Sequence, residues 1–132
     1  MTNALNILQA AAIDTIEEHP ELSHHILGIF DGAPPRAVFP YVSLGDAIMS
    51  DWGTKTEIGR EIRFPLTIWE SSDDPSRISE LVGHLEDAVA AIPRDLNGWH
   101  IASLVFLRSI IVRDPVGPWA GLVEYRFRLL AT

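Results

Sequence analysis

The sequence predicts an α+β fold: an antiparallel sheet built from two long hairpins plus a short strand, with two helices packed on one face. Three observations predict it. Residues 3–18 and 75–92 place apolar side chains at the 3.6-residue period of a half-buried helix. Residues 56–71 and 119–131 alternate apolar and polar side chains with a period of two, as a strand with one buried face does. The segments run helix, short strand, hairpin, helix, hairpin, an order that lets one sheet bury its apolar face under both helices. With 132 residues, 47% of them apolar, the chain is long enough for one core, and a single domain over 1–132 is expected.

Each element follows from its local pattern. Over 3–18, Leu5, Leu8, Ala12 and Ile16 form one stripe, widened by Ile7, Ala11 and Ile13, and Thr2 or Asn3 is placed to cap it. Pro20 ends it, because proline disfavours helix in the residue before it. Residues 22–40 read as irregular, punctuated by Asp31-Gly32 and Pro34-Pro35, with a short strand at 26–30. A strand over 41–51 begins after Pro40, and Asp51 to Lys55 supplies a hairpin loop. In the next strand Ile62, Phe64, Leu66 and Ile68 take one face and Glu61, Arg63, Thr67 and Trp69 the other. Pro65 interrupts this run and argues for a sheet edge or a bulge. Asp73 or Asp74, followed by Pro75, starts the second helix, whose stripe is Ile78, Leu81, Val82, Leu85, Ala88, Val89 and Ile92; Pro93 stops it. Asp95 to Gly98 reads as a turn. Strand 99–113 is expected to put Ala102, Leu104, Phe106, Ile110 and Val112 on one face. Strand 119–131 alternates Val123, Tyr125, Phe127 and Leu129 against Glu124, Arg126 and Arg128, and Asp114 to Pro118 joins the two as a hairpin.

Composition excludes several classes. Ten basic against eighteen acidic residues give a net charge of −8, which argues against ordinary duplex binding by a basic face. The absence of cysteine excludes a disulfide scaffold, a cysteine-based zinc site and a cysteine nucleophile. No stretch approaches the ~20 apolar residues of a membrane span, and the Met1-Thr2-Asn3-Ala4 start has no signal-peptide pattern, so the cytoplasm is the expected compartment.

No motif carries catalysis. The glycines are scattered and form no phosphate loop, and no serine sits in a nucleophile elbow. His24 and His25 are adjacent and on a strand would face opposite ways, so with His19 they read as loop residues rather than a metal site. Asp73-Asp74 reads as a helix cap. No enzyme activity, metal or cofactor is expected. The unusual features are four tryptophans and a basic complement of nine arginines and one lysine. Tryptophan and arginine are enriched at protein interfaces, though tryptophans also cover an open sheet face. The strand arginines suit ion pairs with Glu57, Glu61, Glu70 and Glu124, either across strands within one chain or between subunits. The candidate interface residues are Trp52, Lys55, Arg63, Trp69, Arg113, Trp119 and Arg126.

The phrases Phe39-Pro40-Tyr41-Val42, Asp51-Trp52-Gly53-Thr54-Lys55-Thr56, Leu66-Thr67-Ile68-Trp69, Arg113-Asp114-Pro115 and Tyr125-Arg126-Phe127-Arg128, in this order, resemble the tail-completion or tail-terminator proteins of long-tailed phages, prophages and gene transfer agents. The resemblance covers about 3–131. It implies an α+β fold and a ring, usually a hexamer, that caps the head-proximal end of the tail tube and joins it to the neck or stopper protein of the head connector. It also implies no catalytic residue and assembly into the particle after synthesis. DNA would pass through such a ring unbound, and an acidic chain repels phosphate. The competing expectations are a neck or stopper connector protein, and a small cytosolic ligand-binding α+β module, which would need convergent polar groups in a pocket.

Overall fold

Asn3 opens the first helix by accepting hydrogen bonds at Oδ1 from the backbone N–H of Leu5 (2.8 Å) and Asn6 (3.4 Å). The helix, α1 (Ala4–Glu18), buries Ala4, Leu8, Ala12 and Ile16. The computed structural model describes residues 3–34, 36, 38–115 and 117–132. Thr2, Pro35 and Val116, named above for cap and turn roles, lie outside them. Pro20 ends α1 as expected, then takes the first position of a four-residue helix, α2 (Pro20–Ser23), which the sequence reading leaves out. Helix α3 (Pro75–Ala90) starts at Asp74, whose side chain accepts from the Ser76 N–H at 3.0 Å, and buries the predicted stripe from Ile78 to Val89; it ends before Ile92, which is buried just beyond it.

The strands are β1 (Ile29–Asp31), β2 (Tyr41–Leu44), β3 (Ile48–Asp51), β4 (Gly59–Glu70), β5 (Asp95–Leu96), β6 (Trp99–Arg113) and β7 (Trp119–Ala131). They form one sheet in the order β1-β2-β4-β7-β6-β5, with β3 beside β2 on the same edge of β4. All pairings are antiparallel except β1 with β2, so the sheet is mixed at that edge. The helices cover the face carrying Ile62, Phe64, Leu66 and Ile68 of β4 and Val123, Tyr125, Phe127 and Leu129 of β7. Phe64 and Phe127 meet edge-on at its centre, 5.7 Å between centroids. Gly121 brings α3 close to the sheet: a Cβ there would collide with Val82 Cγ2 and lie 3.1 Å from Ile68 Cγ2.

Four strand expectations change. The run 41–51 is two strands, broken at 45–47. Pro65 sits at neither an edge nor a bulge, because β4 is central and its register with β7 is continuous through Pro65↔Glu124. Its missing N–H is harmless because it falls opposite the gap between β2 and β3. The last β2 partner is Leu66 and the first β3 partner is Arg63; between them the Gly45 N–H reaches across, donating to the Pro65 carbonyl at 2.9 Å. The Asp95–Gly98 turn proves to be a tight β5–β6 hairpin with Gly98 at φ 82°. The faces predicted for 99–113 also divide. The register between β6 and β7 shifts once between Ile101 and Ser103 and again between Phe106 and Arg108. Leu104 and Phe106 therefore share the helix-covered face with Phe127 and Tyr125, whereas Ile110 and Val112 share the opposite face with Leu122 and Ala120.

Candidate functional site

Directly opposed residues of antiparallel strands point to the same side of a sheet. On the side away from the helices this places rows of charge across the three longest strands. Glu61, Arg128 and Ser103 form one row, Arg63, Arg126 and Val105 the next, and Pro65, Glu124 and Arg108 the third. Ile48 of β3 extends the middle row beside Arg63. Both glutamates are engaged: Arg128 Nε donates to Glu61 Oε1 at 3.0 Å, and Arg108 Nε lies 3.7 Å from Glu124 Oε1. The Arg128 guanidinium also lies over the Trp52 ring, 5.3 Å from its centroid. Arg63 and Arg126, side by side, have no carboxylate within 4.0 Å among the described residues. The Arg126 Nε is buried without an acceptor, as is the Ser103 hydroxyl in the adjoining row.

The structure distributes the seven candidate residues over four places. Arg63 and Arg126 meet in the middle row, with Trp52 at one end of the same face, half-buried beneath Arg128. Trp69 lies at the other end of β4, stacked on Tyr41 at 6.2 Å and donating from Nε1 to Ser43 Oγ at 3.0 Å. Phe39 and Phe30 flank Tyr41 at 5.6 and 5.9 Å. Arg113 and Trp119 lie at the far end of the β6–β7 hairpin. There the guanidinium lies 5.0 Å from the indole centroid and 3.6 Å from Asp73 Oδ1, and Trp119 Nε1 donates to the Ser72 carbonyl at 3.1 Å. Lys55 is exposed in the β3–β4 loop. Trp99, the fourth tryptophan, is 2% exposed and belongs to the core. Of the expected glutamate partners, Glu61, Glu70 and Glu124 hold arginines, Glu70 pairing with Arg77 at 3.3 Å; no ion pair involves Glu57 among the described residues.

Sequence reasoning missed the outer margin of β6. Beyond the two residues paired with β5, no strand covers that margin among the described residues. Val105, Phe106, Ile110, Ile111 and Val112 are exposed along it, on both faces. Period-two reading could not find this, because each register shift reverses which face a residue takes. A long apolar edge left open is an invitation to pair.

The helix layer has the opposite electrostatic character. Residues 4–23 and 75–90 carry seven carboxylates and one arginine, Arg77, which is paired with Glu70. Burial raises the Tyr125 hydroxyl pKa far above its ordinary value, helped by the Glu86 and Asp87 carboxylates. The surface depressions are shallow grooves. One of about 370 Å³ is lined by Ser79, Glu80, Gly83, His84, Glu86 and Asp87 on α3. Among the described residues no group of three or more His, Asp or Glu side chains is arranged to hold a metal, and no helix is long and apolar enough to cross a membrane.

The family model described as "Tail completion protein gp17" matches residues 10–130. Two solved structures are similar over nearly the whole chain. One is a chain of the virion of a native gene transfer agent particle: 20% identity, 99% of this chain and 100% of that chain covered, TM-score 0.80. The other is the gp17 protein of bacteriophage SPP1: 19% identity, 94% and 89% covered, TM-score 0.64. No curated protein matches.

Proposed function

Since the chain belongs to the family of tail completion protein gp17, we propose that it is the tail terminator of a phage-like particle: a ring of copies that caps the head-proximal end of the tail tube and joins it to the neck or stopper protein. The observation that carries this reading is the family match over residues 10–130, which runs from the middle of α1 to the penultimate residue of β7. The likeness to a chain of a gene transfer agent virion supports the same role. So does the distribution of unmet groups. The open β6 margin and the Arg63–Arg126 pair are external features suited to other protein surfaces, not to a small ligand. The ring is a hexamer in this reading, and the part played by the protein is structural, not enzymatic. DNA passes through unbound, in keeping with the net charge of −8. The protein is made in the cytoplasm and ends in the tail of the particle.

Disruption of the gene in particle-producing cells tests this. Electron microscopy is expected to show heads and unjoined tail tubes, and the wild-type chain supplied in trans is expected to restore joined particles. Normal tailed particles without the chain would overturn the reading.

A further inference from the structure

We infer that the Arg63–Arg126 pair is a carboxylate-binding site, and that its occupant is the acidic helix layer of a second copy of this chain. The inference rests on the ring reading above and adds which faces meet.

Like charges directly opposite on neighbouring strands repel, and Arg63 and Arg126 are directly opposite. A third arginine and a fourth lie in the flanking rows, Arg128 and Arg108, and each has taken one of the two glutamates on this face. Among the described residues no carboxylate is left to neutralise the middle row. The Arg126 Nε is buried with no acceptor, and the Ser103 hydroxyl beside it is also orphaned. A buried donor without a partner is costly, and buried polar groups in proteins almost always have one. Arginine's planar fork matches a carboxylate in particular. The chain itself covers the Arg126 Nε, so an outside partner meets the pair at the exposed Arg63, and that partner is an acidic side chain.

Charge complementarity selects the second copy. The helix layer, on the other side of the molecule, holds seven carboxylates against one arginine. On α3, Glu80, Glu86 and Asp87 surround a shallow groove at Gly83 and make no ion pair among the described residues. The sheet's open face, with four arginines against two glutamates over β4, β6 and β7, is its electrostatic complement. The two faces lie back to back on one chain, so joining them between copies is a head-to-tail contact. That kind of contact closes into a ring when its rotation permits.

The test uses two full-length variants, R63Q/R126Q and E80Q/E86Q/D87N, whose folding is checked by thermal unfolding. Self-association is read by sedimentation up to about 1 mM protein at low salt. Wild type is expected to form oligomers, and each variant is expected to lose at least about thirty-fold in association constant. Mixing the two variants leaves one intact face on each and is expected to give a 1:1 dimer that grows no further. The inference is overturned if R63Q/R126Q assembles like wild type, if the mixture stays monomeric, or if wild type itself is monomeric throughout. In the last case, restoration of joined particles by that same chain separates the two ideas: the tail-terminator role stands and the occupant is not a second copy.

Discussion

Two glycines show how much one missing Cβ means in different places. At Gly121 a methyl group would collide with Val82 and crowd Ile68 and Ile78, all in the buried layer between α3 and the sheet. Gly121→Ala is expected to destabilise the protein by about 1–3 kcal/mol, read by urea unfolding, because a packed core resists added volume. At Gly83, within α3, a Cβ would meet nothing within 4 Å. Gly83→Ala is expected to stabilise by roughly 0.5–1 kcal/mol in the same assay, through helix propensity and a less flexible unfolded chain. Tyr125 adds a pH dependence. Its folded-state pKa is raised by burial and by Glu86 and Asp87, so folding favours the protonated phenol. The contribution is intact below the unfolded value of about 10 and declines as the pH rises above it. Alkaline titration followed by circular dichroism is expected to show stability falling above about pH 10, with a shallower fall in Tyr125→Phe.

At the level of elements, the two long helices and the buried faces of β4 and β7 were legible because each repeats a single period over many residues, whereas the pairing of β4 with β7 was not. Ile62 to Ile68 and Val123 to Leu129 declare their face in every other residue. Pro65 was misread because a proline's tolerance depends on what lies across from its nitrogen, and the β2–β3 break opposite it is a long-range fact. The β6 faces were misread because a register shift moves side chains across the sheet without altering the local composition. The candidate residues fared similarly. Tryptophan and arginine content pointed to the sheet, but only the cross-strand register brings Arg63 against Arg126 and ties Trp119 to Arg113 instead. The open β6 margin makes its own prediction. Ile110 is 48% exposed, so Ile110→Lys is expected to leave the thermal midpoint within the range of ordinary surface substitutions, about ±0.5 kcal/mol in stability. The same change is expected to reduce association measured by light scattering, because charged edges deter strand pairing.

At the scale of the whole molecule, charge divides by layer: carboxylates dominate the helices, and arginines the far side of the sheet. The net value of −8 is therefore the sum of two unlike surfaces. A 30-base-pair duplex is expected to show no mobility shift with micromolar protein at physiological salt, because the acid excess opposes counterion release by the few arginines. Retardation there would count against free passage of DNA. The two shifts in β6 have a geometric consequence of their own. Strand β6 spends fifteen residues alongside the thirteen of β7, and Ala102 and Leu107, at the two shifts, account for the difference. Each extra residue is left unpaired, so β6 bends locally and its right-handed twist increases at both places. The outer rim of the sheet is therefore coiled at two fixed points, and deleting Ala102 and Leu107 together would bring β6 into unbroken register with β7.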